Sequence, residues 1–481
     1  MLSTPLRLRL VRRILVSRCC VAASTSAQQT DASVVCEQLR DRGVISATFP
    51  DTLLKDFQPL KEYNRPIYAG FDPTSDSLHV GHLAVIIGLL RFWLHGFNII
   101  VLIGGATALL GDPSGTGARS QRKLLTQDAA KTNSYALAAQ LDQIFKNFAT
   151  QFKPTHSASH ITRKLQPVKI MNNVLWYQNL NVISFMAGMG HLFRLRHMMQ
   201  KDAVQLRLSA EGGGMSFSEF SYQLFQAYDW LQLYEREGCL LQLGGTDQVG
   251  NIHSGHDLIA RNHQKQAYGL CVPLLTTETG EKLGKSEGNA IWLDARKTSP
   301  FELYQYFIRI HDFDVQKLLL MFTFFPESQI DVMMQKHWKK PEERHAQQKL
   351  AEQVTLLIHG TSGLEIAKAA TAALYEQSGK DLAALSRDDF ESVFQSVPKS
   401  DLKFDAELTV RELADKMGIF RDSDQIESVI VNGGFYLNHQ RCSEPEAVLV
   451  YGDIVLPSGY TLVRVGKKRH YLVNWTSMNK I

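Results

Sequence analysis

Strand-like and helix-like sequence alternates regularly between residues 66 and 275, and this alternation constrains the fold more than any other feature. Short apolar runs occur at 66–71, 98–103, 168–171, 239–243 and 270–275. Longer runs between them predict helices at about 79–95, 121–148, 217–234 and 248–262. Such alternation is typical of a parallel sheet covered by helices, so we expect a doubly wound, Rossmann-like α/β domain with a helical insertion near 125–235.

The sequence after Asp294 lacks strand-like runs and continues with helical periodicity. One face of 299–375 is charged and the other apolar, which predicts an all-helical domain after a catalytic domain at 31–298. Residues 376–405 are rich in Ser, Asp and Lys with weak periodicity, so we expect a linker there. A helix-like stretch and short strands then predict a small α+β domain at 406–481.

The first 30 residues differ in composition from the rest of the chain. They contain five arginines, interleaved with leucine, valine, serine and threonine, and no acidic residue. Arginines that interrupt the apolar residues are typical of a mitochondrial transit peptide rather than of a secretory signal. We therefore expect 1–30 to be a transit peptide; an ordinary basic helix is the alternative.

Charge, cysteine usage and hydropathy exclude several classes of protein. The formal net charge of +4 becomes about −1 without the five arginines, so nucleic-acid binding would need local basic patches. The six cysteines show no CxxC spacing and no nearby histidine pair, so we expect neither a zinc site nor a disulfide framework. No apolar run approaches the roughly 20 residues that span a bilayer, which argues against a membrane protein.

A motif at residues 68–82 combines a strand end, a Pro-containing turn and a helix start. Asp76 or Ser77 is the expected cap of that helix. His79 and His82 are three residues apart and share a face of its first turn, while Gly81 leaves room for a flat base. A helix N-terminus at the end of a parallel strand can bind phosphate; a purely structural helix start is the alternative.

A second motif, KLGKS at residues 282–286, follows a strand-like run and a glycine-containing turn. A P-loop would need glycine where Thr279 stands, so that interpretation fails by one residue. Two lysines on a flexible loop suit a cationic clamp for a polyphosphate. A solvated charged loop is the alternative.

Together, HVGH at 79–82 and KLGKS at 282–286 resemble the two signature sequences of class I aminoacyl-tRNA synthetases. The resemblance implies that an amino-acid carboxylate attacks the α-phosphate of ATP and expels pyrophosphate. Catalysis then depends on positioning and on donors to the phosphates. It also implies Mg²⁺ with the ATP and no bound organic cofactor. The implied donors are His79, His82, Lys282, Lys285 and Thr74.

The run at 217–234 carries three polar residues on one helical face. Tyr222, Gln226 and Asp229 lie four and three residues apart, opposite an apolar stripe, a pattern that a solvated surface would share. The run resembles the tyrosyl-tRNA synthetase family. The resemblance implies that Tyr222 and Gln226 hold the substrate's α-ammonium group and that Asp229 accepts from its phenol. It also implies a phenol contact for Tyr68 and an ammonium contact for Asp112.

A third segment, residues 241–248, ends a predicted strand with glycines and resembles the family's ribose-binding segment. Gly245 is expected to allow close backbone approach, and Asp247 and Gln248 to bond the ribose hydroxyls or the adenylate. A glycine turn needed only for folding is the alternative. The complete expected ATP set is Asp72, His79, Gly81, His82, Gly245, Asp247, Gln248 and Lys285.

The resemblance also suggests where RNA binds. Residues 299–375 correspond to the family's anticodon-side domain, and 406–481 resemble a small RNA-binding fold. Residues 467–470, KKRH, could contact phosphates. A solvated face is the alternative for residues 467–470 and for the second basic stretch, which is given next. A second basic stretch, expected near the acceptor end, comprises Arg194, Arg196, His197, Lys201 and Arg207.

Taken together, the resemblance implies activation of L-tyrosine with ATP and its transfer to the 3′ end of mitochondrial tRNA-Tyr, in the matrix, by a homodimer joined through the inserted helical segment. The corresponding tryptophan enzyme is one alternative, and it would need a pocket without Tyr68 and Asp229. A catalytically idle mitochondrial RNA-binding or splicing factor is another. Loss of a signature histidine or lysine would have favoured it, but all four are present.

Overall fold

This computed structural model describes much of the chain between Asp31 and Thr476. The described residues are 31–61, 63–114, 125–152, 165–209, 214–276, 285–286, 289–375, 382–383, 385–394, 397–420, 422–466 and 469–476. The predicted transit peptide lies outside them, as do Lys282, Lys467 and Lys468. Lys285 is described by its backbone.

A six-stranded sheet forms the centre of the catalytic region. Its strands are β1 (Ala47–Phe49), β2 (Ile67–Phe71), β3 (Ile99–Ile103), β4 (Lys169–Asn172), β5 (Leu241–Gly245) and β6 (Tyr268–Val272). The last five are parallel, in the order β6-β5-β2-β3-β4, which confirms the predicted doubly wound sheet. Each predicted strand lies within a few residues of its expected bounds.

Two elements that precede this alternation were not predicted. α1 (Ala32–Asp41) packs Val35 and Leu39 into the core. The edge strand β1 pairs antiparallel with β6. It is only three residues long and is followed by Pro50, so it carries too few residues for a period-2 pattern.

Helices cover both faces of the sheet, because alternate residues of a strand point to opposite sides. In β3, Ile99, Val101 and Ile103 pack in one core cluster, and Ile100 and Leu102 in another. None of the helices in the described part of the chain is long and apolar enough to cross a membrane. The helices of this region that follow α1 are α2 (Leu83–Leu94), α3 (Gln127–Gln151), α4 (Val174–Tyr177), α5 (Val182–Gly188), α6 (Leu195–Met199), α7 (Asp202–Leu208), α8 (Phe217–Glu237) and α9 (Val249–His263).

The strand order reverses between β2 and β5. Their register pairs Ile67 with Leu241 and Tyr68 with Gln242 and ends there, although both strands continue for three more residues. The carboxyl ends of the two strands therefore diverge. Open parallel sheets bind their ligands at such a reversal, beyond the carboxyl ends of the strands.

Helix α8 has well-defined ends. The Ser216 hydroxyl accepts from the backbone N–H of Glu219 at 3.2 Å, and the Glu219 carboxylate accepts from the N–H of Ser216 at 3.0 Å. This reciprocal cap begins the helix at Phe217. Gly238, with φ of 71°, ends it in the left-handed conformation that glycine adopts without strain.

A helical region follows the short hairpin of β7 (Lys285–Ser286) and β8 (Asn289–Ala290). Helix α13 breaks at Gly360, where φ is 69°. Asn147 of α3 donates to the carbonyls of Leu357 and Ile358 at 3.0 and 3.1 Å, so the break is bonded to the catalytic region. The helices are α10 (Pro300–Ile308), α11 (Asp312–Phe322), α12 (Glu327–His337) and α13 (His345–Tyr375).

The C-terminal region contains a second sheet, in the order β11-β10-β12-β13-β9. Its helices and its strands pack around a core of their own. The elements are α14 (Arg387–Val393), β9 (Lys399–Leu402), α15 (Val410–Lys416), α16 (Ser423–Val431), β10 (Phe435–Leu437), β11 (Gln440–Cys442), α17 (Tyr451–Ile454), β12 (Tyr460–Val465) and β13 (Arg469–Trp475).

The predicted linker at 376–405 was wrong for its second half. It contains α14 and β9, and β9 pairs in parallel with β13. Phe390 of α14 is fully buried and stacks on Tyr460, with ring centroids 5.2 Å apart. The sequence pattern missed β9 because an edge strand with partly exposed side chains keeps a polar composition.

Candidate active site

A cavity of about 480 Å³ opens where β2 and β5 diverge. The carboxyl ends of these strands, the turn at Val80–His82 and helix α8 bound it. The fold thus collects in one place residues that lie far apart in the chain. The predicted residues that line the cavity are Tyr68, Asp72, Thr74, His79, Gly81, His82, Asp112, Tyr222, Gln226, Asp229, Gly245, Asp247 and Gln248.

One end of the cavity holds Tyr68 and Asp229, which are 1% and 3% exposed. The Tyr68 hydroxyl has no hydrogen-bond partner among the described residues. Burial raises the pKa of Tyr68 well above its usual value, so the hydroxyl stays a neutral donor. An unpaired buried hydroxyl is costly unless a ligand completes it. This end suits a ligand hydroxyl that accepts from Tyr68 and donates to Asp229.

Three side chains that the sequence did not predict hold Asp229. Asn173 donates to its Oδ2 at 3.0 Å, and Trp176 and Tyr177 donate to its Oδ1 at 2.8 Å each. Burial raises the pKa of Asp229 to about 7, against the opposing effect of these donors. All three follow the carboxyl end of β4, and that position was the available sequence signal.

The middle of the cavity joins two predicted subsites. The Tyr222 hydroxyl donates to Oδ2 of Asp72 at 2.8 Å, and Thr107, which was not predicted, donates to Oδ1 at 2.8 Å. The sequence assigned Tyr222 to the amino acid and Asp72 to ATP. Their direct contact means that the two predicted subsites are adjacent. Nearby, Oε1 of Gln226 is buried without a partner in the described part of the chain, where it can accept from a ligand.

Gln248 makes a second link between the subsites. Its Nε2 lies 2.8 Å from Oδ2 of Asp112, 2.7 Å from Oγ of Ser114 and 3.0 Å from Oδ2 of Asp247. A Cβ atom on Gly245 would come within 2.2 Å of the Asp247 carboxylate. A side chain at 245 would therefore move the Asp247 carboxylate out of this position.

Backbone contacts hold both rings of the histidine pair. Nδ1 of His79 accepts from the backbone N–H of Gly81 at 3.1 Å. Nδ1 of His82 lies 3.2 Å from both the backbone nitrogen and the carbonyl oxygen of His79, so it accepts from the first or donates to the second, depending on its tautomer. Burial, followed by the nearby His79, lowers the pKa of His82 to about 3, so His82 is neutral at physiological pH. The ring centroids lie 4.1 Å apart, and a ring that carries its proton on Nε2 has a donor suited to phosphate oxygens.

The predicted cap of this helix was wrong. His79 itself is the cap residue, and the helix starts with a 3-10 turn at Val80–His82. Asp76 instead forms an ion pair with Lys297, and the Ser77 hydroxyl donates to the carbonyl of Leu78 at 2.8 Å. A histidine cap was not expected from propensity, since Ser, Thr, Asp and Asn dominate that position.

The lysine motif leads into this site. Within the β7–β8 hairpin, Lys285 pairs with Ala290, and Ala290 lines the cavity. The next residue, Ile291, accepts from the backbone N–H of Val80 at 3.0 Å. The chain that leaves the lysine motif therefore runs beside the histidine motif, although the lysine side chains lie outside the described residues.

Arg207 cannot be part of the predicted basic stretch for RNA. It is 3% exposed and donates to the buried Glu219 carboxylate at 2.6 Å, whereas Arg194, Arg196 and His197 are exposed. Its role is structural, since Glu219 caps the helix that carries Tyr222, Gln226 and Asp229. Sequence alone did not distinguish a buried from a solvated arginine.

We expect Arg207→Ala to lower the free energy of unfolding by about 3–5 kcal/mol, because it leaves Glu219 as a buried, uncompensated charge. Urea unfolding followed by circular dichroism measures this change. Arg196→Ala, at an exposed position in the same segment, is the control and should change stability little. Equal effects of the two substitutions would contradict the assigned role.

A doubly wound sheet with a polar cavity at its switch point is the usual arrangement of a nucleotide-binding enzyme. Residues 61–376 match the model of class I tRNA synthetases for tryptophan and tyrosine. That range exceeds half of the chain, and the chain belongs to this family.

Within the family, the similar proteins are tyrosine–tRNA ligases. The mitochondrial enzymes of Drosophila melanogaster and Homo sapiens are 44% and 40% identical, over 91% and 94% of this chain and 94% and 89% of their own lengths. The Geobacillus stearothermophilus enzyme is 39% identical over 91% of this chain and 99% of its own. A C-terminally truncated mitochondrial tyrosyl-tRNA synthetase of Aspergillus nidulans has a TM-score of 0.62 at 32% identity, over 71% of this chain and 94% of its own.

Proposed function

We infer that this chain is a tyrosine–tRNA ligase, which forms tyrosyl-adenylate from L-tyrosine and ATP and transfers the tyrosine to the 3′ end of tRNA-Tyr. One observation supports this most strongly. A single cavity is lined by a buried hydroxyl and carboxylate, those of Tyr68 and Asp229, and by a pair of histidines, His79 and His82. A molecule with a phenol and a phosphorylated carboxylate matches both sets.

The phenol end supports the choice of tyrosine. When phenylalanine binds, Tyr68 and Asp229 lose the hydroxyl to which both are directed, and buried polar groups without partners are costly. Sites of this kind discriminate by about 10⁴–10⁵, a range for which tyrosine–tRNA ligases are themselves the standard example. The tryptophan enzyme is disfavoured by these two residues and by the names of the similar proteins.

The proposed chemistry needs no side-chain nucleophile. The tyrosine carboxylate attacks the α-phosphorus of ATP in line, a P–O bond forms, and the bond to pyrophosphate breaks. The Nε2–H groups of His79 and His82, with Thr74, donate to phosphate oxygens as negative charge builds on them. Lys282 and Lys285 would neutralise the departing pyrophosphate. The roles of His79, His82 and Thr74 follow the resemblance and the position of these residues around the cavity, and those of the two lysines follow the resemblance.

The polar middle of the cavity is assigned to the α-ammonium group and the ribose. Oε1 of Gln226 and the Asp112 carboxylate are acceptors for the ammonium group, and Asp247 is the acceptor for a ribose hydroxyl. Because Gln248 bonds both Asp112 and Asp247, binding of one substrate is expected to order the side chain that contacts the other.

Mg²⁺ is proposed to arrive with ATP, held by its phosphates. The described residues contain no group of three or more histidine, cysteine or carboxylate side chains placed to hold a metal ion. Mg²⁺ usually keeps several waters and binds through substrate phosphates.

A homodimer is supported by an apolar surface on the inserted helical segment. Residues 174–208 contain nine large apolar side chains that are at least 40% exposed. A concentration of exposed large apolar side chains in one segment is typical of a protein interface. The side chains are Val174, Leu175, Val182, Ile183, Met186, Leu195, Met199, Leu206 and Leu208.

We expect Ile183→Asp to raise the dimer dissociation constant at least about a hundredfold, since a charge would be buried without a partner. Light scattering after size-exclusion chromatography reports the mass. Val332→Asp is the matched control, because Val332 is 65% exposed on α12, compared with 72% for Ile183. A dissociation constant of the Ile183 variant equal to that of the unchanged chain would exclude this surface.

Action in the mitochondrial matrix is proposed from the arginine-rich, acid-free composition of residues 1–30 and from the names of the similar enzymes. A fluorescent reporter fused to residues 1–35 should enter mitochondria. A cytosolic reporter would refute this location.

ATP–pyrophosphate exchange, measured with each of the twenty amino acids in turn, tests the function. We expect exchange with tyrosine above all others. Exchange with tryptophan would identify the chain as the tryptophan enzyme of the same family. No exchange with any amino acid, in a folded protein, would favour the idle RNA-binding alternative.

A further inference from the structure

Tyr177 contacts Asp229 without lining the cavity. We propose that Tyr177 is a positioning residue for the substrate hydroxyl: its own hydroxyl holds Oδ1 of Asp229 so that Oδ2 is the acceptor presented to tyrosine. This contact then contributes to the preference for tyrosine over phenylalanine. The inference rests on the proposed function.

The hydrogen bonds of Asp229 indicate which oxygen is left for the ligand. A carboxylate has about four acceptor positions, two on each oxygen. Trp176 and Tyr177 occupy both positions on Oδ1, at 2.8 Å each, while Asn173 occupies one on Oδ2, at 3.0 Å. The remaining position is on Oδ2, and Asp229 lines the cavity. The substrate phenol is therefore expected to donate to Oδ2.

Of the three donors, Tyr177 has a single proton and two acceptors within hydrogen-bond distance. Its hydroxyl lies 2.8 Å from Oδ1 of Asp229 and 2.9 Å from the carbonyl of Phe225, but it has one proton to donate. The Asn173 side chain also accepts from the backbone N–H of Ala106 at 2.7 Å and donates to the Thr107 hydroxyl at 3.0 Å, so it holds the loop after β3 as well. A charged acceptor attracts the Tyr177 proton more than a neutral carbonyl does. The Tyr177 contact is thus strongest when Asp229 is ionised.

The electrostatic surroundings give the contact a measurable consequence. Burial raises the pKa of Asp229 to about 7, and the Tyr177 hydrogen bond acts to lower it. Asp72 is the other carboxylate that raises this pKa, whereas burial keeps the facing phenols of Tyr68, Tyr177 and Tyr222 neutral. Loss of the Tyr177 hydroxyl should move the pKa of Asp229 above about 7, so that less carboxylate is present at neutral pH.

The experiment compares the whole chain with Tyr177→Phe in ATP–pyrophosphate exchange. At pH 7 we expect kcat/KM for tyrosine to fall roughly tenfold, the size of one charge-assisted hydrogen bond, mainly through KM. With phenylalanine as substrate the variant should match the unchanged chain, because phenylalanine does not use Oδ2. Between pH 9 and pH 6 the KM for tyrosine should rise as the pH falls through the pKa of Asp229, and in the variant this rise should begin at a higher pH. The deficit in kcat/KM should be smaller at pH 9 than at pH 7.

Tyr228→Phe is the matched control. Tyr228 neighbours Asp229 in α8, and its ring lies 5.8 Å from that of Tyr177. It should leave the tyrosine-to-phenylalanine ratio and the pH profile unchanged. An equal loss with both amino acids in Tyr177→Phe, or an unchanged ratio and profile, would overturn the positioning role. If the unchanged chain gave no exchange with tyrosine, the proposed function would fail, and the role of Tyr177 with it.

Discussion

Asp229→Asn is expected to lower kcat/KM for tyrosine in ATP–pyrophosphate exchange by about 30- to 1000-fold, equivalent to about 2–4 kcal/mol. The substrate phenol loses a charge-assisted acceptor. In addition, the new amide brings two N–H groups to a position that three donors already face, Asn173, Trp176 and Tyr177. The amide N–H groups must then face at least one of these donors. The remaining oxygen of residue 229 accepts from the other donors and is no longer presented to the ligand.

This loss should be specific to tyrosine. Exchange with phenylalanine, which lacks the hydroxyl, is expected to change less than threefold. Glu235→Gln provides the matched control, since it makes the same chemical change on the same helix but lies at the half-exposed end, where Glu235 pairs with His263. Tyrosine exchange by the Asp229 variant at the level of this control would remove Asp229 from the phenol site.

His82→Ala is expected to reduce the rate of tyrosyl-adenylate formation by about 10²–10³. The substitution removes the Nε2–H donor but keeps the backbone that begins α2. KM for tyrosine should change little, because His82 is not among the residues assigned to the amino acid. Single-turnover formation of the adenylate, followed by rapid quenching, separates this step from binding and from transfer to tRNA.

The pH dependence gives an independent measurement. Because burial lowers the pKa of His82 to about 3, its ring is neutral throughout the range from pH 5 to pH 9. The loss in His82→Ala should therefore be the same at every pH in that range. A loss confined to pH below 7 would mean that a charged imidazolium acts instead. His95→Gln, at the other end of α2, is the control.

Much of this site could be predicted because its residues follow strand ends. Asp72 follows β2, Gly245 ends β5 and Asp247 follows it, so the parallel sheet alone places these three at one edge, while Tyr68 lies within β2. The resemblance to a known family then assigned each one a role. The hydrogen bond between Tyr222 and Asp72 was not foreseen, since it joins residues that local pattern assigned to different ligands.

Residues without a local signal were missed. No local pattern distinguishes Asn173, Trp176 and Tyr177 in the sequence. They acquire a function only because α8 brings Asp229 against them. Arg207 shows the opposite error, since a basic residue in a basic stretch proved to be buried with Glu219. Burial depends on which element packs above a residue, and that is decided by contacts distant in sequence.

The sequence by itself determined the α/β class, the order of the parallel strands along the chain and the two signature motifs, because periodicity, turn residues and helix starts are local properties. Tertiary structure alone decided the neutral state of His82, the donors that hold Asp229 and the unpaired hydroxyl of Tyr68. The reason is physical. Hydrogen-bond partners and desolvation depend on distances across the fold, and those distances exist only once β2, β4, β5 and α8 have been packed together.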